Sequence, residues 1–178
     1  MNRQSGFTLT ELMIVATIVA ILLGIGLPSF KYVTTSNRMS SEVNSLLGDM
    51  QYARSEAVRE GQTVTVCAST DGATCAGGVT PAWQSGWIVF SDANGNQTVD
   101  ATDVVLRVKN RFGGQDTFSA AVGAVTFNRE GFAVALPNAG LLMTLHDSTS
   151  NVGYTRCLQV GFVGSLKTQT HASLASCT

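Results

Sequence analysis

From Phe7 to Leu27 the chain is apolar almost without interruption: FTLTELMIVATIVAILLGIGL holds only threonines, glycines and one acid, Glu11, among its aliphatic residues. A run of about 20 such residues, rising about 1.5 Å each, is long enough to cross the hydrocarbon core as a helix. Pro28 follows it; a proline inside a helix removes one backbone hydrogen bond and kinks the rod. Gly24 and Gly26 weaken the same turn by about 1 kcal/mol each relative to alanine. Gly24, Gly26 and Pro28 therefore mark a soft point. Beyond it the helical period persists while the polarity changes. Met39, Val43, Leu46, Met50, Ala53 and Ala57 recur in alternating steps of four and three, which places them on one stripe. Residues 31–60 are thus predicted as an amphipathic continuation that packs on something, ended by Gly61 as C-cap. One helix of roughly fifty residues results.

After Gly61 the period becomes two. Short runs rich in Val, Thr, Phe and Leu predict strands at 63–67, 86–91, 104–109, 124–128, 132–136, 141–146 and 154–162, separated by Gly, Asn, Asp and Pro. Asn128–Gly131 (NREG) reads as a tight turn between two of them. The fold class is α+β, with the amphipathic half-helix laid on an antiparallel sheet or pair of sheets. Trp83 and Trp87 read as core aromatics.

Glu11 changes the picture at the start. A carboxylate at the bilayer centre costs roughly 2.5–3.5 kcal/mol, so it needs a partner or a reason. An ordinary secretory signal ends its apolar run with a small-x-small cleavage site. Here the candidate cut, between Gly6 and Phe7, precedes the run, and removal of residues 1–6 leaves the helix attached. The rest of the 178-residue chain suffices for one globular domain. Net charge is −1. With Arg3 and Glu11 set aside, ten basic residues face eleven acidic ones from Lys31 onward, so no global field attracts nucleic acid or anionic lipid. Four cysteines form an even set in what reads as an exported domain. Three pairings are open. Cys67 with Cys75 and Cys157 with Cys177 are favoured because each closes a short loop; neither pair has zinc-site spacing, and His146 and His171 stand apart.

The segment GFTLTELMIVATIVAILLGIGLP resembles the class III signal and N-terminal helix of type IV pilins and type II secretion pseudopilins: glycine, an aromatic, then glutamate as fifth residue after the cut. A helix ending YARSEAVREGQTVTVC, then W-x-x-G-W-I-V-F-x-D at Trp83–Asp92, then VTFNREGF, is similar in order to the H-type subfamily, which takes in pseudopilin H and the FimT- and FimU-type minor pilins. The resemblance implies a type IV pilin-like fold and cleavage by prepilin peptidase after Gly6 with N-methylation of Phe7. It also implies that Glu11 neutralises the positive N-terminus of a neighbouring subunit in the filament core. A carboxylate is costly alone in a dry bundle but compensated beside an ammonium, so axial register is rewarded. The implied protein is single-pass in the inner membrane: residues 7–30 span it, and 31–178 form a periplasmic domain that joins a surface filament with major and minor pilin subunits. Its implied role is that of a minor pilin priming or joining a type IV pilus. The alternatives are a DNA-binding minor pilin for natural transformation and the type II secretion pseudopilin H.

Two further constellations are candidates for ligands. In DANGNQTVDATD, oxygen-bearing side chains stand at loop positions 1, 3, 5, 7, 9 and 12: Asp92, Asn94, Asn96, Thr98, Asp100 and Asp103. That spacing resembles an EF-hand calcium loop. Gln97 replaces its turn glycine, Asp103 its bidentate glutamate, and the flanks read as strands; a solvated hairpin loop has the same composition. For DNA, the C-terminal G-R-x-R contact of FimT-type minor pilins corresponds to Gly164-Ser165-Leu166-Lys167, where both arginines, with their bidentate forks, are missing. Arg156, Lys167 and His171 remain as candidate DNA contacts in a tail free of acids after Asp147. The sequence has no nucleophile elbow, P-loop or dinucleotide motif, and no enzyme is expected.

Overall fold

The computed structural model describes residues 8–76, 82–137, 140–174 and 176–177. Gly6 and Phe7, the expected sites of cleavage and methylation, lie outside the described residues. One helix, α1 (Leu9–Glu60), carries both predicted halves and stays helical across Gly24, Gly26 and Pro28. The chain divides into two compact units, Met1–Arg38 and Met39–Thr178.

In the first unit the aliphatic side chains from Leu9 to Ile25 are exposed on every side of the helix. Among the described residues, α1 is the one helix long and apolar enough to cross a membrane. The hydroxyls of Thr17 and Thr34 donate to the carbonyls of Met13 and Phe30, at 2.8 and 3.0 Å. Their polar groups are thereby satisfied within the helix, which an apolar environment requires.

In the second unit the stripe Met39, Val43, Leu46, Met50, Ala53 and Ala57 is buried throughout. It packs into one core with residues of two antiparallel sheets. The first has the order β3 (Val104–Asn110), β2 (Gly86–Ser91), β1 (Val64–Ala68), β5 (Ala124–Phe127), β6 (Ala133–Val134); the second runs β4 (Thr117–Ser119), β7 (Leu141–His146), β8 (Arg156–Val160), β9 (Leu166–Thr170). Every residue of β1 and β2 is buried, because both faces of these central strands are covered. Val66, Trp87 and Val89 face the main core. Cys67, Ile88 and Phe90 form a second cluster on the opposite face, capped by Cys75, Val99 and Ala124. β7 alternates buried and half-buried positions, as a strand covered on one face does.

The turn Asn128–Gly131 forms as expected. The Gly131 amide donates to the Asn128 carbonyl at 2.8 Å, and the Asn128 side chain accepts from Glu130 and Phe132. Two strand expectations differ from the structure, and two strands were not expected. The predicted 132–136 strand shrinks to two residues, since Ala135 adopts a left-handed φ of 58° that ends the ladder. The 154–162 strand begins only at Arg156, after a turn closed by Asn151 and Val152 carbonyls. β4 and β9 were not expected: β4 has three residues with only Phe118 buried, and β9, LKTQT, is a polar edge strand with no apolar alternation to announce it.

Candidate functional site

Glu11 lies exposed in the first turn of α1. Its amide donates to the Thr8 hydroxyl at 3.3 Å, so Thr8 caps the helix at the position the T-x-x-E spacing designates. A carboxylate there also complements the helix dipole. Local capping thus fixes where the helix starts and sets Glu11 in its first turn.

The Asp92–Asp103 loop connects β2 to β3, and most of its side-chain oxygens are engaged by the loop itself, Asp103 Oδ1 being buried without a hydrogen-bond partner among the described residues. Asp92 is fully buried. One of its carboxylate oxygens accepts from the Thr65 hydroxyl (2.7 Å) and the Gln97 amide (3.0 Å), the other from the Asn96 amide (3.1 Å). Asn94 and Asn96 accept amides two residues on, and the Asp103 carboxylate accepts from the Asp100 amide. Asp100 takes the hydroxyl and amide of Thr102 and the Asn94 amide group. These hydrogen bonds, led by the Thr102 hydroxyl, hold its carboxyl below the usual carboxylate range. Gln97, in the place of the turn glycine, has φ 61°. Its side chain donates to Thr126, whose hydroxyl also meets Thr65, which closes a network back to Asp92. Asp92, Asp100 and Asp103 do not converge: among the described residues, no three His, Cys, Asp or Glu side chains gather as metal ligands.

The two disulfides join Cys67 to Cys75 and Cys157 to Cys177. The first staples a loop over the outer cluster. Within it Asp71 accepts from Ser69, Ala73 and Thr74; the Thr74 hydroxyl leads in pulling its carboxyl well below the usual range. The second ties the C-terminal tail to β8, with His171 Nδ1 and the Cys177 carbonyl 3.0 Å apart. In the chain-entropy account a link across 20 residues contributes about 3 kcal/mol. Cys157→Ser with Cys177→Ser is therefore expected to lower the unfolding free energy by about that amount in urea titration. A loss under about 1 kcal/mol would show that the tail is held by its non-covalent contacts instead.

The basic candidates are not brought together. Arg156 pairs across the ladder with Thr170, and Lys167 with Gln159. Positions 156 and 159 differ in parity, so Arg156 and Lys167 face opposite sides of the sheet. Arg156 turns toward α1, donating to Ser40 at 3.2 Å and to the Gly153 and Thr155 carbonyls. It lines a small cleft with Ser40, Asn44, Thr168 and Thr170. Lys167 is exposed on the other face, and His171 is engaged with the tail. Arg107, on β3, pairs with Asp49 at 3.0 Å and stacks over Tyr52.

Trp83 and Trp87 are fully buried, with indole N–H groups donating to the Val122 carbonyl and to Asp49; they are core anchors, as expected. Arg54 is the residue that sequence reasoning missed. Its guanidinium donates to the Gly131 carbonyl at 2.9 Å and the Val163 carbonyl at 3.4 Å, joining the β5–β6 and β8–β9 turns to α1. Gly164, in the place of the DNA-contact motif, sits beneath it with φ 71°; a Cβ there would come within 2.1 Å of the Gly131 carbonyl oxygen. Only glycine permits that approach. An exposed helical arginine gives no sign of such a role in the sequence.

A family model described as type II transport protein GspH matches residues 42–164, more than half of the chain. The chain belongs to the GspH family. A second model, the prokaryotic N-terminal methylation motif, matches residues 1–27. The GspH-family chain is also similar to the type IV minor pilin FimU of Pseudomonas aeruginosa in two crystal forms. These show 23% and 20% identity, each with TM-score 0.57, covering 75% and 76% of this chain and 94% and 91% of that one. The minor pseudopilin EpsH of the type 2 secretion system of Vibrio cholerae matches at 10% identity and TM-score 0.47, over 75% of this chain and 97% of that one. The GspH-matched segment ends at Gly164, so Lys167, His171 and Cys177 lie beyond it. The pilin-like, H-type resemblance and the α+β class stand as read from the sequence.

Proposed function

We propose that this chain is a minor subunit of a type IV pilus, held in the inner membrane by the first half of α1 and joining or priming the filament after prepilin peptidase cuts at Gly6. The observation that carries the reading is the pairing of an N-terminal methylation motif with a domain whose fold spans 94% of the FimU chain. Its role is structural: the conspicuous side chains of the domain are engaged in core, loop and turn contacts, and its function lies in contacts with other pilin-like subunits. A second reading, a pseudopilin of type II secretion, is favoured by the family's own description. DNA uptake has less support, because Arg156 and Lys167 face opposite sides of one sheet.

Deleting the gene separates the readings. A pilus subunit predicts loss of surface pili with exported enzymes still secreted, restored by the full chain in trans. Loss of secretion with normal pili would overturn the proposal in favour of the pseudopilin. Retarded DNA migration with the wild-type chain, weakened by Lys167→Ala, would bring the uptake role back; a salt slope near 0.9 per neutralised phosphate is expected of any such contact.

A further inference from the structure

Three turns of the second unit meet at Arg54, and each presents an apolar side chain to solvent. Val58, in the last turns of α1, is 55% exposed; Phe132, beside the β5–β6 turn, 47%; Phe162 and Val163, in the β8–β9 turn, 45% and 62%. Their backbones are locked together. Arg54 holds the Gly131 and Val163 carbonyls, the Ala133 amide donates to the Phe162 carbonyl at 2.9 Å, and a Cβ on Gly131 would touch both Arg54 and Val58. These bonds fix the backbone beneath the apolar set. Surface apolar residues scattered singly need no explanation, but four on three segments around one cation form a patch. Arg54 is exposed and donates to carbonyls; among the described residues it pairs with no carboxylate, whereas Arg59 and Arg129 do.

From this we infer that the Val58, Phe132, Phe162 and Val163 patch is a docking surface for a second, different pilin-like subunit, one that presents an apolar side chain flanked by a carboxylate. The inference rests on the assembly reading above and assigns that assembly a surface. The charge selects the partner. Two copies of this chain meeting patch to patch about a two-fold axis would bring two Arg54 guanidinium groups together, which costs free energy. A heterologous partner with an acid beside its apolar anchor meets Arg54 with opposite charge and fills the patch.

The test is photocrosslinking of the full-length chain in its own cells, with benzoylphenylalanine at position 162, and at position 22 on the apolar half of α1 as the assembly control. The expected result is a position-162 adduct with another chain that carries the glycine-aromatic-glutamate N-terminal motif, its attachment point close to an acidic residue. Arg54→Glu is expected to lower that adduct at least about tenfold and leave the position-22 adduct in place. Since Arg54 also holds two turns, Val58→Ser with Val163→Ser is the second variant; it keeps the Arg54 bonds to backbone carbonyls and is likewise expected to reduce the adduct. If position 22 captures pilin-like chains and position 162 does not, the surface is overturned and the assembly reading stands. Capture at neither position overturns both, and a position-162 adduct between two copies of this chain overturns the heterologous partner. An adduct undiminished by Arg54→Glu overturns the charge argument on which the choice of partner depends.

Discussion

Trp87→Ala is expected to lower the unfolding free energy of the second unit by about 3–5 kcal/mol and its melting temperature by about 10 °C or more. Three separate contributions add to that loss. The indole is fully buried in the main core, so truncation removes its transfer free energy and leaves a cavity that the strands β1 and β3 on either side of β2 cannot close. Its ring meets Phe112 edge-to-face at 5.6 Å and 80°, a geometry worth about 0.5–1.5 kcal/mol beyond area. Its N–H donates at 2.8 Å to Asp49, which also holds Arg107 over the Tyr52 ring. Trp87→Phe isolates the last effect: it retains much of the packing and removes the donor, for an expected loss of about 1–3 kcal/mol from the half-buried carboxylate left short of a partner. Thermal melts of the two variants followed by circular dichroism check both values. A Trp87→Ala loss below about 1 kcal/mol would show that α1 and the five-stranded sheet are held together elsewhere.

The contacts around Trp87 also show what was legible in the sequence. The stripe from Met39 to Ala57 announced the buried face of α1 because helical burial repeats every three to four residues whatever covers it. β2 was legible from a run of large apolar residues, and β7 from alternation. β9 was not, because an edge strand with one neighbour needs no apolar face, and LKTQT has none. Arg54 was illegible for a related reason. Its acceptors are backbone carbonyls 77 and 109 residues away, and every residue has a carbonyl, so no partner side chain marks the site. The Asp92–Asp103 loop poses the opposite difficulty. Alternating carboxylates and amides suit a cation and suit a run of turn amides equally well, since both ask for oxygen lone pairs. Asp92, buried and bonded to Thr65, Asn96 and Gln97, has its lone pairs taken by hydroxyl and turn-amide donors. The left-handed Gln97 supplies the bend that glycine gives elsewhere.

The largest functional effect is expected at Glu11. On the proposed assembly reading, Glu11→Ala should abolish incorporation into filaments and leave leader cleavage intact, because the expected cut after Gly6 precedes the apolar run and the carboxylate would act only after it. Glu11 has two physical reasons to occupy its position, and they predict different things. As third residue of a helix capped by Thr8, it complements the helix dipole, worth about 0.3–1 kcal/mol. As partner of a neighbouring subunit's terminal ammonium in a water-free bundle, its loss leaves a buried charge uncompensated, at a cost of about 3–5 kcal/mol. The larger value corresponds to a factor of about 10²–10⁴ in the equilibrium at each subunit contact, enough to exclude the variant from a filament that wild-type subunits build. Glu11→Gln separates the two. It keeps the length, the helix propensity and the ability to accept a hydrogen bond, and it removes only the charge. If the dipole contact were the role, the Gln variant would lose only about 0.3–1 kcal/mol and assemble nearly as well as wild type; if charge compensation is the role, it fails as completely as alanine. Immunoblots of sheared filaments, with the cleaved form counted in membranes, distinguish these outcomes. Normal incorporation of Glu11→Gln would sink the pairing model while leaving the anchor itself untouched.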